Sequence, residues 1–308
     1  MRKLILVTGG TGMVGRNVLE HRHMRRYEVI APTRRELDLL DGAAVEQFIR
    51  EAKPDLIIHS AGRVGGIQAN MNSPVEFLVE NTEIGTHVIL GAARSKVPRL
   101  LNLGTSCMFP RGHDEPMAEE LVLTGELEPT NEGYALAKIV AARLCRYVNR
   151  QYGLSYKTLI PCNLYGRYDN FDPDTSHLVP AVLRKLHEAK KRGDRQVEIW
   201  GTGEARREFL YVGDLADLIA RAVERFDGLP EMLNVGIGRD YAVNDYYRIG
   251  AEVVGFDGTF EHDLSKPVGM QRKLVSVERL KQFGWSAPTD LRTGLRKTYD
   301  FFLEKFGG

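Results

Sequence analysis

The chain has 308 residues, 43% hydrophobic and 27% charged, with a formal net charge of +1, which suits one large α/β unit or two fused lobes. That charge offers no global attraction for nucleic acid or anionic membrane, no apolar stretch approaches the roughly 18 residues of a membrane span, and the apolar run after Arg2-Lys3 is too short for a signal peptide. The three cysteines, Cys107, Cys145 and Cys162, fit neither a disulfide framework nor a zinc spacing, so a reducing cytoplasm and no metal are expected.

Lys3–Val7 is a short apolar run that reads as a buried strand, and Thr8-Gly9-Gly10-Thr11-Gly12-Met13-Val14-Gly15 follows at once. In a strand, glycine turn and helix, Gly9 permits the tight turn and Gly12 a close approach to a pyrophosphate. Gly15 lets the helix pack on the strand. Unpaired N–H groups around Met13 and Val14 would favour an anion. A helix over Val14–Arg22 and a strand over Tyr27–Ala31 come next, and then Arg34 and Arg35. An acidic residue there would accept from a free ribose 2′-hydroxyl, whereas two guanidinium forks suit a 2′-phosphate, so NADP is expected rather than NAD.

Asp38 and Leu39 lie in a stretch, Glu36–Asp41, resembling a loop that frames adenine, and a helix over Ala43–Ala52 follows. The strand Asp55–Ser60 ends at Ala61-Gly62, small enough to lie against a cofactor, while His59 reads as a packed histidine. A helix over Pro74–Arg94, a strand over Arg99–Gly104, a helix over Asn131–Tyr152 and a strand over Ser155–Pro161 complete the alternation. That pattern means an α/β protein with a doubly wound parallel sheet. Beyond Pro161 the pattern loosens. Helices are expected at His177–Lys191, Asp214–Phe226, Asn244–Val254 and Thr289–Phe306, with strands near Val197–Trp200 and Met232–Val235. The expected division is a dinucleotide domain over residues 1–161 and a smaller substrate lobe over 162–308, with some exchange of elements between them.

Tyr134 and Lys138 stand four residues apart on a predicted helix, hence on one face. A free phenol titrates near 10, too high for easy proton exchange at neutrality. A fixed ammonium beside it would draw that value down, and Lys138 could also hold the cofactor's ribose. Thr105, at the end of the fourth strand, could hydrogen-bond the same carbonyl oxygen.

The glycine turn with Thr105, Tyr134 and Lys138 in this order, and Arg207-Glu208-Phe209-Leu210-Tyr211-Val212-Gly213-Asp214, resemble the extended short-chain dehydrogenase/reductase superfamily. Val64-Gly65-Gly66-Ile67, Thr105–Pro110, Glu128–Tyr134, Asn163–Gly166, Asp169-Asn170-Phe171, Ser176-His177, Trp200–Gly203 and Lys266-Pro267 narrow the likeness to the GDP-L-fucose synthase family. The resemblance covers nearly the whole chain. It implies a Rossmann-type fold with a smaller C-terminal α/β substrate lobe, NADPH as cofactor, and GDP-4-keto-6-deoxy-mannose as substrate. The implied reactions are epimerisation at C3 and C5 and reduction at C4. It further implies a cytoplasmic homodimer joined through Pro74–Arg94 and Asn131–Tyr152.

By the same resemblance Cys107 and His177 are the acid/base pair for epimerisation, with His177 also near the cofactor. A thiol near 8.5 and an imidazole near 6.5 suit proton exchange at neutrality. Asn163, Lys185, Trp200, Arg207 and Lys266 are the expected GDP-sugar contacts. The chain departs from the family pattern with Thr105 for serine, Gly133 for proline, Gly213 for aspartate and Thr11 for an arginine near the 2′-phosphate. The alternatives are a colitose-type GDP-deoxysugar reductase and a GDP-mannose 3,5-epimerase. The latter uses NAD and has lysine where His177 stands. A non-catalytic NADP sensor would be expected to lack Tyr134 or Lys138.

Overall fold

In this computed structural model, residues 2–173, 175–266 and 270–307 are described. Pro267 of the Lys266-Pro267 pair lies outside them. β1 (Leu4–Thr8) leads through the glycine turn into α1 (Met13–Glu20). The expected helix to Arg22 stops early because His21 turns extended, and a short 3-10 turn over Arg22–Arg26 follows, carrying Met24 into the core.

β2 (Glu28–Ile30), α2 (Gly42–Ala52) and β3 (Leu56–His59) continue the alternation. Asp41 caps α2 by accepting from the Ala44 N–H at 3.0 Å, satisfying a donor that the helix cannot. A short α3 (Ile67–Asn72) precedes α4 (Pro74–Arg94), whose first position is proline, where no N–H is needed. β4 (Arg99–Leu103), α5 (Glu132–Tyr152) and β5 (Ser155–Pro161) complete this half.

The strands alternate by side chain, as a sheet covered on both faces requires. Ile5, Val7, Ile58, Leu101, Leu103 and Leu159 enter one core. Leu6, Ile57, Leu100 and Tyr156 enter the opposite one, against α2, α4 and α5. Gly85 of α4 lies under α5, where a Cβ would sit 3.2 Å from that of Ala141, so the two long helices pack closely. Val75, Val79, Val140, Tyr147 and Tyr152 remain exposed on these helices.

The second half starts with β6 (Asn163–Tyr165) and α6 (Leu178–Arg192), then β7 (Gln196–Trp200), β8 (Arg206–Arg207) and β9 (Phe209–Tyr211). α7 (Val212–Glu224) and β10 (Met232–Val235) return to the main sheet. β11 (Tyr241–Ala242), α8 (Val243–Val254), β12 (Thr259–Asp263), β13 (Arg272–Lys273), α9 (Glu278–Gln282) and α10 (Leu291–Phe306) follow.

The main sheet is parallel, in the order β10-β5-β4-β3-β1-β2. Its strand order reverses beside β1, and ligands of such Rossmann-type sheets bind outside the carboxyl ends of the strands at that reversal. A separate core of Tyr165, Phe171, Leu183, Tyr246, Leu295 and Phe302, among others, underlies the second half. Among the described residues, no helix is long and apolar enough to cross a membrane.

Candidate active site

The glycine turn is shaped by contacts that exclude side chains. Gly9 has φ +74°, the left-handed region that glycine enters without strain, and a Cβ there would lie 2.7 Å from the Ala61 nitrogen. A Cβ on Gly15 would meet the Gly9 carbonyl oxygen at 2.1 Å. The predicted Gly9 and Ala61 are thus brought together where β1 and β3 end. Gly12 stands at the N-cap of α1 with no side-chain cap, and the first turn, Met13 to Gly15, carries no acid. A helix start of this kind fits a pyrophosphate. Gly62 keeps open the space beside Lys138: a Cβ there would sit 3.4 Å from Nζ.

Arg34 and Arg35 stand exposed beyond the end of β2, where Arg34 lies 3.9 Å from the Asp38 carboxylate. Asp38 also accepts from the Leu40 N–H at 3.1 Å, and the Leu39 carbonyl accepts from the His87 ring at 2.9 Å. This loop is therefore pinned, with Arg35 exposed and Arg34 exposed in a long contact with Asp38. His59 is buried, with Nδ1 2.7 Å from the Thr8 hydroxyl, and burial drives its pKa down to about 3. It is a packed, neutral histidine.

A second group forms where β4 and α5 meet. Thr105 follows β4, and its hydroxyl accepts from the Cys107 N–H at 3.3 Å, shaping the turn that carries the thiol. The half-buried Cys107 sulfur faces the Asn131 amide at 3.5 Å and the Lys273 ammonium at 3.3 Å. Tyr134 lies in the first turn of α5, its ring edge-on to Phe77 at 6.3 Å between centroids. The Lys138 ammonium is 5.8 Å from that ring and donates to the Leu103 carbonyl at 3.2 Å.

The electrostatics differ from the expectation that Lys138 lowers the Tyr134 pKa. Burial pushes the phenol up, the nearby Cys107 adds to that, and burial lowers Lys138 to about 8. Desolvating a phenolate outweighs what an ammonium at this distance returns. The phenol is therefore fully protonated at neutrality, loaded as an acid.

His177 stands exposed at the N-cap of α6, in a recess where surrounding atoms and then the Lys273 ammonium hold its pKa below the ordinary imidazole value.

The expected sugar-nucleotide contacts fall into two sets. Lys185 donates to the Glu198 carbonyl at 2.7 Å, Trp200 donates to the Glu198 carboxylate at 2.9 Å, and Lys266 lies 5.6 Å from the Trp200 ring. Trp200 is 53% exposed, which leaves its face open for stacking on a base. Arg207 donates to the Arg206 carbonyl at 2.8 Å, and Asn163 donates to that of Glu208 at 3.1 Å. Sequence reasoning assigned no role to Asn131 or Lys273. Asn131 lies within the Glu128–Tyr134 motif, whereas Lys273 has no local signal, since a two-residue strand delivers it.

The family described as NAD dependent epimerase/dehydratase matches residues 5–236. A GDP-L-colitose synthase of Yersinia pseudotuberculosis is 51% identical, with 98% of each chain covered. A GDP-L-fucose synthase of Azorhizobium caulinodans is 46% identical, over 98% of this chain and 96% of that one. The solved structure of a GDP-mannoheptose C4 reductase from Campylobacter jejuni with NADP bound matches with a TM-score of 0.89 at 31% identity, covering 98% of both chains.

Proposed function

This chain belongs to the NAD dependent epimerase/dehydratase family, among the GDP-L-fucose synthases and their colitose-forming kin, and from that premise we propose that it converts GDP-4-keto-6-deoxy-D-mannose to GDP-L-fucose. The observation that carries the reading is the convergence of a hydroxyl, a thiol, a phenol and an ammonium where β4 meets α5, with a glycine turn fit for a dinucleotide at the end of β1.

The sugar's C4 oxygen sits between the Thr105 hydroxyl and the Tyr134 phenol, which stabilise the enolate as a proton leaves C3 or C5. Cys107 and His177 exchange protons with those carbons from opposite faces of the ring. Tyr134 then gives its proton to the C4 oxygen, and the Lys138 ammonium stabilises the phenolate left behind. NADPH, when bound, would supply the hydride for C4. Lys138 and His177 would border it, Arg34 and Arg35 would receive its 2′-phosphate, and Asp38 and Leu39 would frame its adenine. Arg207 clamps the diphosphate, while Asn163, Lys185, Trp200 and Lys266 hold the rest of the GDP-sugar. In this reading residues 1–161 form the cofactor domain, which also presents Thr105, Cys107 and Tyr134 to the sugar, and 162–308 form the substrate lobe, which presents His177 to the cofactor.

The exposed Val75, Val79, Val140 and Tyr147 on α4 and α5 fit a homodimer joined through these helices. Three free cysteines fit a reducing cytoplasm.

The Arg34→Ala Arg35→Ala enzyme is expected to lose at least about tenfold of its NADPH-over-NADH preference in kcat/KM, as loss of charge-assisted phosphate bonds implies. An unchanged ratio would remove the 2′-phosphate role. Formation of GDP-L-colitose is the second reading, favoured by the 51% identity to the Yersinia enzyme. Colitose differs from fucose only in lacking the C3 hydroxyl. NADPH oxidation with GDP-4-keto-6-deoxy-mannose and with its 3-deoxy counterpart decides: the 3-hydroxy substrate is expected to give the higher kcat/KM, and the reverse would make the chain a colitose-forming enzyme.

A further inference from the structure

β8 and β13 run side by side in parallel, pairing Arg206 with Arg272 and Arg207 with Lys273. Alternation along a strand sends such pairs to opposite faces. On one face Arg206 and Arg272 share the Asp240 carboxylate at 2.9 and 2.6 Å. On the other, Lys273 reaches Cys107, its Nζ 3.3 Å from the sulfur. Among the described residues Lys273 makes no ion pair with a carboxylate.

We propose that Lys273 is a positioning residue of the epimerisation step, its ammonium serving as the counter-charge for the thiolate that Cys107 must become in each proton exchange. This rests on the reading of Cys107 as an acid/base group. When the thiolate takes a proton from C3 or C5, the C–H bond breaks, an S–H bond forms, and the electron pair moves to the C4 oxygen. An ammonium in van der Waals range of sulfur favours the charged form before that transfer.

The other groups facing the sulfur are the neutral Asn131 amide and the Tyr134 phenol of α5. Around the ammonium stand His177 of α6 and the buried Cys162, itself beside Glu208. Lys273 therefore couples the pair. Unneutralised, its charge opposes an imidazolium on His177. Once the thiolate forms, the ammonium–sulfur pair is neutral and that opposition falls.

The test is labelling of Cys107 by iodoacetamide in the ligand-free enzyme, read by peptide mass spectrometry across pH, because Cys145 and Cys162 are buried. In Lys273→Met, labelling near neutral pH is expected to slow at least about tenfold, the loss from removing a close opposite charge, with the pH curve displaced upward. Lys273→Arg should restore both. Solvent-deuterium exchange at C3 and C5 should fall in parallel while NADPH affinity stays within twofold. A lysine that merely supports the strand would leave the labelling curve in place. An unmoved curve in Lys273→Met, or in the neutral Lys273→Gln should the first variant not fold, overturns the pairing. Normal deuterium exchange in Cys107→Ala would instead overturn the reading on which it rests.

Discussion

Tyr134→Phe is expected to lower C4 reduction by about 10²–10⁴-fold, the range for removing a positioned general acid. The phenol is protonated at neutral pH, as a free phenol is, and burial raises its pKa further, so its contribution is a proton delivered where the carbonyl oxygen turns into an alkoxide. Phenylalanine keeps the ring and its edge-on packing against Phe77, and the fold and NADPH affinity should survive. NADPH oxidation measured spectrophotometrically reads the loss. Deuterium exchange at C3 and C5 should fall less, since Thr105 still holds the enolate oxygen. Unimpaired reduction would take Tyr134 out of the proton path.

The second large effect is expected from Cys107→Ala His177→Ala. Exchange at C3 and C5 should drop by about 10²–10⁴-fold, with the single variants close to the double, because groups that act as one unit are not additive. Exchange should be read at saturating NADPH, since His177 borders the cofactor in this reading, whereas Cys107→Ala alone should leave NADPH binding in place. Normal incorporation of solvent deuterium in the double variant would refute this division of labour.

How much of this was legible in the sequence depended on how local each feature is. Pro74–Arg94 and Ser155–Pro161 match the observed α4 and β5 residue for residue, because apolar periodicity and a proline start mark them within their own span. The glycine turn, Thr105, Tyr134 and Lys138 are likewise carried by spacing along the chain, whereas Cys107 and His177 stand out only through the family resemblance.

In the second half, β6, β8, β9, β11, β12 and β13 had no such signal. β12 reads Thr-Phe-Glu-His-Asp and has little β character of its own; its parallel pairing with β7 makes it a strand. Lys273 was invisible for the same reason, since its register against Arg207 places it at the thiol. The direction of the Tyr134 pKa was missed because four-residue spacing to Lys138 predicts an attraction, whereas burial comes only from the assembled fold.

One ketosugar, held by one carbonyl, is first inverted and then reduced. That order is read by incubation with GDP-4-keto-6-deoxy-mannose and NADPH in deuterated water, followed by NMR of the product. The expected result is GDP-L-fucose with solvent deuterium at C3 and C5 and the cofactor's hydrogen at C4. A product reduced at C4 with both neighbouring centres unexchanged would contradict it.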